Sequence, residues 1–142
     1  MVRKNHLLVN FCFYLKKSLF VFFAFLIFNN PVFSDNWEQI ATGSNFKEYF
    51  KNAVRSGRTA SITAMRDYSS EMTQGDMTYL SVKKLYQFDC SREKFRLTLV
   101  EKYEKNKLGG EMCFASKTKT DWRKVNPNTL NEVAMRKACK KK

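Results

Sequence analysis

The stretch Lys84–Tyr103, KLYQFDCSREKFRLTLVEKY, decides how this chain folds. Tyr86, Phe88 and Cys90 share one parity and Gln87 and Asp89 the other. Beyond the polar Ser91-Arg92-Glu93, the residues Phe95, Leu97, Leu99 and Tyr103 continue the alternation against Lys94, Arg96, Thr98 and Lys102. Period two marks a strand with one buried and one wet face, so the stretch predicts an antiparallel hairpin. Lys94, Arg96 and Lys102 are then expected on the wet face, and Cys90 ends the first strand on the core face.

Downstream, Leu108-Gly109-Gly110 is a turn signal. Glu111–Ser116 follows as a third strand, with Met112 and Phe114 alternating against Glu111 and Cys113, and Trp122–Val125 adds a further short one. Upstream, Trp37–Ile40 predicts an opening strand, Phe46–Phe50 an aromatic patch in strand or loop, and Thr59–Tyr68 an extended segment after the Ser56-Gly57 turn. Ser69–Thr78, polar and containing Gln74-Gly75-Asp76, is expected to be a surface loop. The period then changes. Leu130, Val133, Ala134, Lys137 and Ala138 fall at helical spacing after Asn126-Pro127-Asn128, and Thr129 with Glu132 predicts a capping box. The expected fold class is α+β: a single antiparallel sheet of about five to six short strands with a C-terminal helix.

The front of the chain differs from the rest. Arg3, Lys4, Lys16 and Lys17 precede ten uncharged apolar residues, Leu19–Phe28, followed by Asn29-Asn30-Pro31 and then Val32-Phe33-Ser34. This pattern predicts a signal peptide over residues 1–34, cut after Ser34, with a domain at 35–142. The apolar run is well short of the roughly 20 residues of a membrane span, so a retained anchor is the lesser expectation. Cys12 precedes the apolar run, where it cannot become a lipidated N-terminus.

Four of the 26 Lys and Arg residues, none of the 13 acids and the single histidine, His6, lie in that leader. Residues 35–142 therefore carry 22 basic against 13 acidic side chains, a net charge of +9, with three cysteines and no histidine. Such a surface attracts polyanions. Lys83, Lys84, Lys94, Arg96 and Lys102 concentrate on the hairpin and are the candidate partner-binding residues, for polyanions such as lipopolysaccharide, heparan-like glycans, acidic protein segments or extracellular DNA. Sequence-specific nucleic-acid binding would want aromatic residues on that exposed face, whereas here they follow the core parity. Trp37 and Trp122 are expected as core or sheet-edge packing.

Catalysis finds little support in the sequence. Without histidine the commonest acid/base is missing, and neither a Gly-rich phosphate loop nor a G-x-S-x-G elbow is present. Asp67, Glu71 and Asp76 lie near one loop and are the only carboxylate group offering a hydrolase, the least favoured expectation. The cysteines lack C-x-x-C spacing and histidine partners, so neither a zinc site nor any other cofactor is expected. Export into an oxidising compartment makes a structural bridge the first expectation. Three cysteines allow three single pairings. Parity places Cys90 on the core face, where a packed helix would bring Cys139, and turns Cys113 away; a register slip of one residue would reverse that choice.

Trp37-x-x-Ile40, Asp67-Tyr68, Ser81–Cys90 ending in Phe88-Asp89-Cys90, a basic strand ending in Tyr103, Gly109-Gly110, Trp122-Arg123-Lys124-Val125-x-Pro127 and a final Cys139 together resemble the surface-adhesin protein E family of exported bacterial proteins. The resemblance implies a small antiparallel sheet with a C-terminal helix held across it by a Cys90–Cys139 disulfide. It further implies an adhesin-like, non-enzymatic protein at the cell surface or in the periplasm, with host matrix proteins as partners. The alternative function is a periplasmic accessory domain that self-associates, as a homodimer, through exposed strand edges. Membrane contact is expected only through an uncleaved leader.

Overall fold

The computed structural model describes residues 36–140; the leader and its expected cleavage site lie outside them. Among the described residues, seven strands form one antiparallel sheet: β1 (Glu38–Thr42), β2 (Phe46–Ser56), β3 (Thr59–Gln74), β4 (Met77–Asp89), β5 (Lys94–Tyr103), β6 (Met112–Ser116) and β7 (Arg123–Lys124). β1 to β6 are neighbours in chain order, a meander, and β7 pairs with β5. A 3-10 turn (Asn106–Leu108) precedes β6, and helix α1 (Leu130–Cys139) closes the chain.

The β4–β5 hairpin is formed as its alternation predicts over the first half. Phe88 pairs with Phe95 and Tyr86 with Leu97. The Asp89 carboxylate shapes the turn by accepting from the Ser91 and Arg92 amides, both at 3.1 Å, and from the Ser91 hydroxyl at 2.7 Å. A β-bulge then intervenes, because Leu85 pairs with Leu99 and Thr98 is left over. The Thr98 hydroxyl donates to the Leu85 carbonyl at 3.3 Å. One extra residue reverses parity for the remainder of the strand. Leu99, Glu101 and Tyr103 therefore share the face of Lys94 and Arg96, while Val100 and Lys102 join the face of Tyr86 and Phe88. The expectation that Lys102 stands beside Lys94 and Arg96 is thus corrected.

Ser69–Thr78 is not a loop. β3 and β4 continue past an irregularity between Asp67 and Met72, pairing Met72 with Tyr79 and Gln74 with Met77. They close on Gly75-Asp76 with Gly75 at φ +58°, a left-handed conformation that glycine supplies without steric cost. A two-stranded extension that projects beyond the core needs no apolar face, and so its polar composition hid it.

Registers across the sheet place Ala60, Phe88 and Phe95 in one row, and Ile62, Tyr86 and Leu97 in the next. With Phe50, Ala64 and Val125 these residues form the core against Ala134 and Ala138 of α1. Two alanines bring the helix close to the sheet, where it contacts β2, β3 and β4. The buried stripe of α1 is Ala134 and Ala138 flanked by Met135 and Cys139, while Val133, which shares their helical spacing, is exposed. At its start, the Glu132 amide donates to the Thr129 hydroxyl at 3.3 Å, and the Glu132 carboxylate accepts from the Asn128 amide at 2.8 Å, one residue further back than a standard capping box.

The helix end is fixed covalently. Cys90 and Cys139 form a disulfide with their Cα atoms 5.7 Å apart, and Cys113 is free. This bridge spans 49 residues of sequence, which in the chain-entropy account is worth about 4 kcal/mol. The C90S/C139S double variant should lose roughly that much stability in urea unfolding, whereas Cys113→Ser should leave the midpoint nearly unchanged. Equal loss in both would contradict this assignment.

Candidate functional site

The five candidate basic residues divide between the two faces. Following β4 and β5 through the bulge, Lys83, Lys94 and Arg96 lie on the outer face, away from α1, and Lys84 and Lys102 on the inner face, which carries the helix. Two basic clusters result, each with its own electrostatics.

On the outer face the hairpin end is the more exposed. Lys94 pairs directly with Lys124 of β7, so two lysines stand opposite one another on the same face of the sheet. Arg96 donates to the Gln87 side chain at 2.8 Å and lays its guanidinium 4.4 Å from the centre of the Trp122 ring. Arg92 is exposed and pairs loosely with Asp89 at 3.8 Å. Lys83, further along, is already neutralised by Glu101 at 3.0 Å, and the same Glu101 oxygen accepts from the Tyr103 hydroxyl at 2.8 Å. Burial alone would raise the Glu101 pKa, but the Tyr103 and Lys83 contacts overcome it and hold the carboxyl below its usual range.

The inner face carries charge where the helix stops. Reading across the sheet, Glu48, Arg66, Val82, Lys102 and Phe114 face one another in a single row over β2 to β6. Lys84 sits in the adjacent row, between Ala64 and Val100. Glu48 is almost wholly buried and bonds Arg66 Nε at 2.5 Å; the Arg66 guanidinium also stacks 4.1 Å from the Phe46 ring. Burial would depress the Arg66 pKa, and the Glu48 bond and charge turn that into a net rise. Lys102 is buried, donates to the Gln74 side chain, and lies 4.4 Å from the Tyr79 ring and 5.3 Å from that of Phe114. Lys84 has its pKa lowered by burial first and by the Arg66 charge second.

The other candidates are placed singly. Asp67 accepts from the Lys107 amide at 2.7 Å and serves to fasten the 3-10 turn, together with the Ser81 hydroxyl, which donates to the Lys105 carbonyl at 2.6 Å. Asp76 is at the tip of the β3–β4 hairpin and Glu71 lies in its irregular segment. Among the described residues no group of three His, Cys, Asp or Glu is arranged to hold a metal. Cys113 Sγ lies 3.4 Å from the Lys102 carbonyl and 3.6 Å from that of Thr78. Trp37 and Trp122 are edge residues: the Lys51 ammonium covers the first at 4.1 Å, as Arg96 covers the second.

The family model of surface-adhesin protein E matches residues 37–140, and the chain belongs to that family. It is accordingly an adhesin-like surface protein by class. Solved structures of Haemophilus influenzae protein E share the fold. Crystal form II superposes with a TM-score of 0.56 at 12% identity, over 78% of this chain and 91% of that one; a second structure gives 0.54 at 12% identity, over 78% and 88%. Identity that low speaks for the fold alone. No curated protein matches the chain.

Burial raises the pKa of Tyr86 first, and the Glu48 charge adds to it, to about 12; Tyr103 is raised to about 12 by burial and its bond to Glu101. A phenol whose folded pKa exceeds its unfolded value near 10 contributes stability that is complete below that pH and is lost as pH rises toward 12. In an alkaline titration, tyrosinate absorbance from these two residues should therefore lag behind that of ordinary tyrosines and appear only near pH 12, or earlier if the sheet signal in circular dichroism collapses first. Their ionisation at ordinary pKa in the intact fold would contradict the placement.

Proposed function

We propose that this protein is exported through cleavage of residues 1–34 and acts as a surface-adhesin module that binds polyanionic or host matrix macromolecules through the outer-face cluster around Lys94 and Arg96. The observation that carries this is the direct pairing of Lys94 with Lys124, flanked by Arg92 and Arg96. Like charges opposite one another in a sheet are destabilising, and an anionic partner reverses the sign of that interaction. The Trp122 ring fixes the Arg96 guanidinium in a planar pose suited to a carboxylate or sulfate. Lys83 contributes less, since Glu101 already holds it. No step in this reading is catalytic.

A second reading, self-association, is favoured by Met112 and Phe114, exposed apolar side chains on the short edge strand β6. It is separated from the first by ultracentrifugation of the protein without ligand.

Binding to immobilised heparin and to matrix proteins should be salt-sensitive, because screening shortens from about 8 Å at physiological ionic strength to about 3 Å at 1 M. The K94E/R96E variant should weaken it on the order of tenfold or more. Unchanged binding would remove this face as the site. Mass spectrometry of the protein from its native producer should find Asp35 as the first residue; an intact leader would overturn the export step as stated.

A further inference from the structure

The helix-free half of the inner face holds three cations around one carboxylate. Arg66, Lys84 and Lys102 come from three adjacent strands and converge because Arg66 and Lys102 both face Val82 from opposite sides, while Lys84 lies two residues along β4 on the same face. Lys84 is therefore a diagonal cross-strand neighbour of both Arg66 and Lys102, which lie two strands apart across Val82, and it links the two. Glu48 uses its carboxylate on Arg66, leaving the group with a surplus of two positive charges.

That surplus is unsatisfied in a specific way. Lys102 offers three N–H donors and has the Gln74 oxygen as its hydrogen-bond acceptor, with the Tyr79 and Phe114 rings as its other neighbours. Lys84 has no hydrogen-bond acceptor and no ion pair within 4.0 Å among the described residues, although the Glu48 charge acts on it at longer range and it sits beside Ala64 and Val100, close to the core. Every fully buried side-chain nitrogen or oxygen among the described residues has a partner, so the Lys84 ammonium reaches solvent from its half-buried stem. Phe46, packed on Arg66, and Phe114, beside Lys102, wall the cluster at its two ends. The charges are thus held close and partly desolvated, where their mutual repulsion is screened less than at an open surface.

We infer that Arg66, Lys84 and Lys102 form a receptor for a single doubly charged oxyanion of the phosphate or sulfate type, separate from the outer-face cluster and on the opposite side of the sheet. The surplus charge matches a dianion, and a tetrahedral oxyanion supplies the acceptors that the Lys84 and Lys102 ammonium groups lack. Glu48 sets the specificity: by occupying Arg66 Nε it keeps the net charge at two and repels ligands that would approach from the β2 side. The site takes one anionic group, free or as the phosphate monoester of a small molecule, in contrast to the extended polyanion suited to the outer face.

The test uses the exported protein with its disulfide intact, titrated by calorimetry with sodium phosphate, sodium sulfate and glycerol phosphate against a chloride background of equal ionic strength. Saturable one-to-one binding is expected. It should weaken at least tenfold in Lys84→Met and in Lys102→Met, and persist in K94E/R96E. Glycerol phosphate binding as tightly as phosphate would mark an esterified ligand as the natural form, and phosphate binding alone would mark the free ion; both support the site. Lys84→Met keeps the apolar stem and removes a desolvated charge, so it should fold and melt no lower than the parent, which separates loss of binding from loss of structure. Absence of saturable binding, or binding that Lys84→Met leaves intact, would overturn the inference. Because the outer-face reading is tested by heparin with K94E/R96E, either site can fail without the other.

Discussion

A helix of ten residues has little reason to be helical on its own, and α1 depends on what holds it. The Cys90–Cys139 bridge anchors its last residue at the end of the central strand β4, beside the turn that Asp89 shapes. From that anchor the rest follows. Ala134 and Ala138 are pressed onto Phe50, Ile62 and Phe88, the inner face becomes a core over part of its length, and the sheet gains the second layer without which seven strands would expose an apolar surface to water. The same anchor fixes where cover ends. Because α1 lies over β2, β3 and β4 near their hairpin-proximal rows, the row that begins with Glu48 is left to satisfy itself with charge.

Much of this architecture was legible in residue order, and the places where it was not have physical causes. The hairpin and the capped helix follow from local patterns, period two and a Thr129/Glu132 pair, whereas the core parity of Cys90 only favoured Cys139 as its partner and the family resemblance implied that pairing. The bulge at Thr98 is different. Nothing in strict alternation reports an inserted residue, and the only local sign is the adjacent apolar pair Leu99-Val100, which a half-buried strand would not ordinarily carry. Extending the alternation through it assigned Lys102 to the wrong face. The inner charged row was invisible for a further reason: Glu48, Arg66, Lys84 and Lys102 belong to four strands, and only register brings them together.

The two faces handle positive charge by different physics. On the outer face Lys94, Lys124 and Arg92 are exposed, so water and salt soften their repulsion and their effect is long-ranged attraction. On the inner face Arg66 and Lys102 lie against aromatic rings, Lys84 is half-buried between neighbouring strands, and Glu48 neutralises one of the three with a buried bond. Net charge read from composition does not distinguish these cases, since both contribute equally to the sum.

The meander has a consequence for how the chain reaches this state. Each strand from β1 to β6 pairs with its immediate neighbour in sequence, so the sheet can grow by successive hairpins, each closing only a short loop. Docking of α1 is the exception, since it must bring the chain end back across β5, β6 and β7 to β2, β3 and β4. Once the Cys90–Cys139 bond exists, that return becomes a search within a closed loop instead of along a free tail. Oxidation thereby acts on the order of assembly as well as on the final stability: in a reducing compartment the sheet could form while its apolar inner face waited uncovered, and in an oxidising one the cover arrives tethered.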